Sequence, residues 1–305
     1  MITVVGESLL DLVADTEGRC FAAYPGGSPA NVAVGLARLG TPVRLVTHLA
    51  DDLPGRLVAR HLRDSGVTVD LLPGSPATSL ALAAVDEHGV ASYDFRISWD
   101  VARVRDLGSD CRHLHTGSIA GALPPGADVV DELLAVERRR GRVTISLDPN
   151  IRASLLGPRD AVRERLERQI SRSDVVKAST EDLAWLYPGE PPDRIAARWL
   201  AAGPALVVVT LGSEGGYGLS RAAEVTRPAV PVTVVDTVGA GDAFTAGLLD
   251  GLSRLGLLGG DQRGRLAAVD ADTLAALLDF AIRVAGLTCG RSGADPPTRD
   301  ELAQS

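Results

Sequence analysis

The 305-residue chain predicts an α/β fold, a mostly parallel sheet carrying helices on both faces. Three observations point there. Short apolar runs alternate with longer helical patterns over most of the length. Hydrophobic residues make up 45 % of the chain, enough for a substantial core. Aromatics are only 4 %, so Ala, Val, Leu and Gly carry the apolar load, which suits strands buried on both sides.

In chain order, Ile2–Val5 reads as a buried first strand. A helix over 30–39 ends at Gly40, and Val43–Thr47 is the next strand. The helix over 55–65 is closed by Gly66, and 113–116 reads as a strand. A helix over 127–140 follows, then a strand over 143–147, a helix over 159–171 and a strand over 175–177. Short helical patterns cover 180–187 and 194–202, and 205–210 is an all-apolar strand. After Asp242, two helical stretches run through Leu255 and through Cys289. Two segments break this rhythm. Residues 11–24 and 78–95 are strand-like with no helix between their halves, and the second turns at Glu87-His88-Gly89 as a hairpin does. They form either a small separate sheet or an extension of the main sheet's edge.

The formal net charge is −8, and no Lys/Arg run is interleaved with aromatics, which argues against a nucleic-acid partner. Arg138, Arg139 and Arg140 close a predicted helix, where cations suit the dipole. Cys20, Cys111 and Cys289 match neither zinc-ligand spacing nor a CxxC redox pair, and their sparse, odd count suits a reducing cytoplasm. The chain opens on MITVVGESLLDLV, a strand with no charged n-region, so no signal peptide is expected. No apolar run reaches the roughly 18 residues of a membrane span, so no membrane association is expected.

Chemistry concentrates in two segments. In VVDTVGAGDAFTAGLL (234–249) an apolar strand is expected to end at Val235, followed by Gly239-Ala240-Gly241 and a helix starting near Asp242. Glycines let backbone amides approach a ligand, and a helix start turns amides and dipole toward an anion. A transferring phosphoryl group is such an anion, and Asp242 beside it can accept a hydroxyl proton. Pattern alone equally allows Asp242 to be a helix cap. In PGGSPANVAVGLARLG (25–40) a Gly-Gly step precedes Asn31, which both donates and accepts hydrogen bonds and suits a polyhydroxylated ligand, although a simple Gly-rich turn has the same look. GxxxxGK[ST] is absent, and no early strand–GxGxxG–helix occurs, which disfavours P-loop and dinucleotide-binding folds.

GGSPANVAVGLARLG and DTVGAGDAFTAGLL together resemble the two signatures of the PfkB (ribokinase-like) carbohydrate kinases, in the family's order. The resemblance runs from GESLLDLV to GADPPT near the end. It implies one doubly wound, Rossmann-like domain over 1–305 with a small β-sheet lid, formed by about 11–24 and 78–99, and ATP-dependent phosphorylation of a sugar hydroxyl. Asp242 resembles the catalytic base. The Gly239 turn and the amides of Ala240, Gly241 and Asp242 resemble the anion hole. Asp11, Gly26, Gly27 and Asn31 match sugar-binding positions, and Lys177, Thr210, Gly212 and Gly215 fall where ATP lies. Asp236 and Thr237 resemble the start of a monovalent-cation site.

The family's NxxE, linked to magnesium, reads Ser179-Thr180-Glu181-Asp182, which keeps a carboxylate at Asp182 to hold Mg²⁺ through water. Ala50 replaces the first glycine of GxDxxG. In GADPPT, prolines stand where potassium-activated members carry serine, which speaks against a K⁺ requirement. DPNIR (148–152) and KASTEDLAWL resemble bacterial fructokinases and 2-keto-3-deoxygluconate kinases, and favour fructose. Arg96, followed by Ser98 and Trp99, and Arg152 are the cations available to a substrate hydroxyl or acidic group; each could equally be a solvated or salt-bridged residue. Ribose, 2-keto-3-deoxygluconate or nucleoside kinases, and a sugar- or nucleotide-binding regulator without turnover, are the alternatives. An exposed lid edge suits a homodimer.

Overall fold

The computed structural model describes residues 1–15, 19–85 and 91–304. Its strands are β1 (Ile2–Val5), β2 (Leu9–Ala14), β3 (Phe21–Gly26), β4 (Val43–Thr47), β5 (Thr68–Leu71), β6 (Ser79–Val85), β7 (Ala91–Arg96), β8 (His113–Gly117), β9 (Thr144–Asp148), β10 (Val175–Ser179), β11 (Leu206–Thr210), β12 (Gly216–Ser220) and β13 (Glu224–Arg227). Among the described residues, the larger sheet runs β13-β12-β11-β10-β9-β8-β1-β4-β5. From β11 to β5 every neighbouring pair is parallel. β12 and β13 form an antiparallel margin.

Alternating side chains of these strands enter two different cores, and both are apolar. Leu206 and Val208 of β11 join Val4, Leu36 and Leu249 on one face, while Val207 and Val209 join Trp199 and Leu183 on the other. That is why the strands read as continuous apolar runs. Helices Ser28–Arg38, Leu53–Asp64, Ala240–Arg254 and Ala271–Cys289 cover the first face. Gly126–Arg140, Arg159–Ile170 and Pro192–Ala202 cover the second. Each fully buried Leu or Val contributes about 1.5–3 kcal/mol relative to exposure.

Two departures from the sequence reading have local causes. The helix expected from 55 starts at Leu53, because Oδ1 of Asp52 accepts the Gly55 amide at 2.8 Å and Pro54 fits the first turn. The strand expected to end at Val235 does not form: Val234 and Val235 are 59 % and 62 % exposed, and β12, which the sequence reading did not include, already occupies the edge of β11.

From β1 the chain winds outward through β4 and β5, then returns to β8 on the other side and continues to β11. The strand order reverses between β1 and β8, and open α/β sheets bind ligands at the carboxyl ends of such a pair. Over this point stands the second sheet, ordered β3-β2-β6-β7, with β2 and β6 parallel and the outer pairs antiparallel. The hairpin turn expected at 87–89 lies outside the described residues. Trp99, expected with this sheet, is instead buried in the main core with Val5 and Leu134, and its ring packs against Gly126.

Candidate active site

A cleft of about 770 Å³ opens between the small sheet and the carboxyl ends of the central strands. The small sheet contributes Asp11, Tyr24, Ala81 and Phe95. The main body contributes Glu7 after β1, Ser118 after β8, and Asn150–Ser154 after β9. The 236–242 and 292–294 loops complete it. Ser118 and Asn150 hold positive φ angles of 54° and 38° without being glycine, a local strain that concentrates at functional sites.

Asp242 is the third residue of the Ala240–Arg254 helix, whose cap is Gly239 at φ 75° with no side-chain capping bond. The capping role that pattern alone allowed is therefore not the one its carboxylate fills. Ser28 Oγ donates to Oδ1 at 2.6 Å and Asn31 Nδ2 donates to Oδ2 at 2.8 Å. Burial raises the Asp242 pKa, the two hydrogen bonds pull it down, and the Asp148 carboxylate pushes it up again. A helix leaves its first amides unpaired. The Ala240 N–H is taken by the Thr237 carbonyl at 3.2 Å, and Ala240 does not line the cleft. Of the three expected amides, two belong to residues that line the cleft, Gly241 and Asp242.

Beneath this turn, Lys177 Nζ donates to Asp148 Oδ2 at 2.9 Å, with both side chains buried. A Cβ at Gly241 would lie 3.2 Å from Lys177 Nζ, so glycine lets the helix start sit on the ammonium. Burial opposes the lysine's charge, but Asp148, Asp182 and Asp242 outweigh it and raise its pKa. Lys177, expected against ATP, therefore lies below the Gly241–Asp242 turn and not among the residues that line the cleft.

Beside the small sheet, Gly26 has no room for a side chain: a Cβ there would lie 2.0 Å from Asp11 Oδ2. Gly27, at φ 101°, packs on the Glu7 carbonyl. Burial raises the Asp11 pKa to about 6, against the opposing pull of Arg152. Arg152 lines the cleft and donates to Asn150 Oδ1 at 2.6 Å.

The remaining expected residues stand apart. Arg96 points to solvent and pairs with Asp94 at 2.7 Å, outside the cleft lining, because strand alternation carries it to the far face from Phe95. Thr210, Gly212 and Gly215 cluster where β11 turns into β12 and do not line the cleft. Asp182 closes a capping box: its Oδ1 accepts the Ile151 amide at 2.7 Å and its Oδ2 accepts the Ser179 amide and hydroxyl, both at 2.8 Å. Asp236 accepts the amides of Val238 and Gly293 at 3.0 and 2.8 Å, tying the two loops together, and Thr237 lines the cleft beside it. Glu7, Ser28 and Ser118 were not assigned roles from sequence. Ser28 had a legible signal, a hydroxyl at the start of a helix three residues before Asn31.

A model of the pfkB family carbohydrate kinase matches residues 1–301. A fructokinase of Rhizobium leguminosarum bv. trifolii is 37 % identical over 283 residues, covering 90 % of this chain and 85 % of the relative. Among solved structures, fructokinase with bound ATP from Xylella fastidiosa matches with a TM-score of 0.89 and 27 % identity, over 99 % of this chain and 97 % of that one. A double mutant of fructokinase from Vibrio cholerae O395, in a fructose, ADP and potassium ion bound form, matches with a TM-score of 0.78 and 26 % identity, over 96 % and 93 %. The chain belongs to the pfkB family of carbohydrate kinases and is an ATP-dependent sugar kinase.

Proposed function

We propose that this enzyme phosphorylates a primary hydroxyl of fructose, with Asp242 as the general base. The observation that carries the reading is the Asp242 carboxylate, held by Ser28 and Asn31 within the cleft and set in the first turn of a helix with open amides. Base and anion site are then adjacent, as an in-line phosphoryl transfer needs. Asp11, Gly27 and Asn31 hold sugar hydroxyls. Asp242 takes the proton of the attacking hydroxyl as the γ-phosphoryl arrives, and the Gly241 and Asp242 amides stabilise its charge. ATP crosses the ends of the later strands toward Thr210, Gly212 and Gly215. The small sheet acts as a lid that excludes water during transfer. Its edge strand β3, with Phe21 and Tyr24 exposed, supports pairing with a second copy. The cysteine usage supports a cytoplasmic setting; no helix of the described residues is long and apolar enough to cross a membrane.

No group of three or more His, Cys, Asp or Glu that could hold a metal occurs among the described residues, and both Asp182 oxygens are engaged. Mg²⁺ would enter with the ATP phosphates and keep much of its water. Asp236 is engaged in the same way by two amides, and the role of Asp236 and Thr237 toward a monovalent cation stays a proposal.

Arg152 in the cleft favours a second reading, an acidic keto sugar such as 2-keto-3-deoxygluconate. The cation faces Glu7 and Asp11 and draws both carboxyls toward their charged forms, an arrangement that a neutral sugar leaves in place. The test is ATP consumption with fructose, ribose, 2-keto-3-deoxygluconate, adenosine and no acceptor. Fructose turnover is expected to lead the panel. Asp242→Ala is expected to lower kcat by roughly 10²–10⁴, and a loss below about threefold in a folded variant sinks the base assignment.

A further inference from the structure

Glu7 follows β1 at the floor of the cleft, and its side chain has work left over. The residue is 2 % exposed and lines the cleft. Its Oε2 accepts the Ala120 amide at 2.9 Å, which fixes the carboxyl plane. Its Oε1 is buried and has no hydrogen-bond partner. A buried polar atom is normally paired, and one left open in a binding cleft is met by what binds there. Gly27, from the other side of the cleft, packs on the Glu7 backbone, where a side chain would strike the Glu7 carbonyl.

We propose that Oε1 of Glu7 pairs with one hydroxyl of the acceptor sugar, making Glu7 a specificity-determining residue of the kinase. The inference rests on the sugar-kinase reading above. A hydroxyl both donates and accepts, so it can pair with the carboxylate or with the neutral acid. Both forms matter, because burial raises the Glu7 pKa to about 7 against the pull of its own backbone amide, the Ala120 amide, the nearby Ser118 hydroxyl and the Arg152 charge. A site that hydrogen-bonds a substrate hydroxyl rejects the analogue lacking it far more strongly than an apolar pocket rejects a missing methylene. Glu7 thus does what the Asp11 carboxylate does from the small sheet, but from the main body, so the sugar is held between the two layers.

The test pairs Glu7 variants with monodeoxy sugars. Wild type, Glu7→Gln and Glu7→Leu are assayed on fructose and on each monodeoxyfructose retaining the phosphorylated hydroxyl. One analogue is expected to lose about tenfold or more in kcat/KM with wild type, and that loss is expected to shrink to within about twofold in Glu7→Leu. The other analogues are expected to lose equal factors in both enzymes, with the KM for ATP unchanged. Glu7→Gln, which keeps a polar partner, is expected to fall between. A role confined to pinning the Ala120 turn predicts no coupling with any one hydroxyl. Equal losses in all three enzymes therefore overturn the proposal. If Glu7→Leu does not fold, the wild-type and Glu7→Gln panels decide on the same criterion. Normal fructose turnover without coupling removes Glu7 alone; wild-type silence on every sugar removes the kinase reading and Glu7's role with it.

Discussion

Lys177 and Asp148 form a buried ion pair of 2.9 Å directly under the helix turn that carries Gly241 and Asp242. Breaking one half leaves the other charge uncompensated, which costs about 3–5 kcal/mol in buried pairs. Lys177→Met is therefore expected to destabilise the protein by that order, and Lys177→Met with Asp148→Asn to recover a large part. Denaturant unfolding of the singles and the double checks it. Strict additivity would mean the pair does not act as one unit.

Ser28 is expected to tune Asp242, the proposed base. Its hydroxyl donates to Asp242 and favours the charged form, so removing it raises the Asp242 pKa further. The base must be deprotonated, so activity falls as pH drops through that pKa. Ser28→Ala should move the acidic limb of the kcat/KM profile to higher pH while leaving the alkaline side in place. An acidic limb that stays fixed, or moves to lower pH, refutes this role.

Gly239 is irreplaceable for two separate reasons. Its φ of 75° is left-handed, which costs an L-residue roughly 1–2 kcal/mol. A Cβ there would also lie 2.5 Å from the Ala294 Cβ, forcing the 292–294 wall of the cleft outward. Gly239→Ala should lower melting temperature and raise the sugar KM together. A Gly239→Ala variant with normal KM would show that the 292–294 loop yields without cost to the site.

How far the site was legible depended on how local its determinants are. The two glycine-rich runs are contiguous, so Asn31, Gly27 and Asp242 could be named from the sequence. That the Asp242 carboxylate is not spent on capping follows from Ser28 and Asn31 reaching it from a helix more than 200 positions away, which no local pattern encodes. Glu7 is a single acid between two strands with no spacing to mark it. Lys177 was named, but its depth below the helix was not readable, because alternation assigns a face and not a distance from the surface. β12 was missed because Gly216 and Gly218 weaken the strand signal, and Gly218 makes room for Leu274 of the covering helix. Trp99 lies just past β7 in the chain, and nearness in sequence does not say which core a side chain enters.

Asp11 shows where the fold gives up stability for its site. Burial, with the Asp242 charge adding, raises its pKa from 3.8 to about 6, while Arg152 opposes the rise. The folded state therefore holds this proton more tightly than the unfolded chain. Stability from this residue is greatest below the unfolded pKa, declines as pH rises from about 4 to about 6, and stays lost above. Asn cannot ionise, so Asp11→Asn avoids the loss, by on the order of 2 kcal/mol at neutral pH. Its melting temperature should exceed that of wild type at pH 7.5, with the difference shrinking toward pH 4.5. Comparing the two proteins at each pH cancels the opposing pull of His113 and His115, which burial keeps neutral in both. The same variant should raise the sugar KM, because the carboxylate that costs stability lines the cleft and is the one proposed to hold a sugar hydroxyl. A melting difference independent of pH would mean that Asp11 keeps its ordinary acidity in the folded enzyme, and that the cleft does not strain this carboxylate.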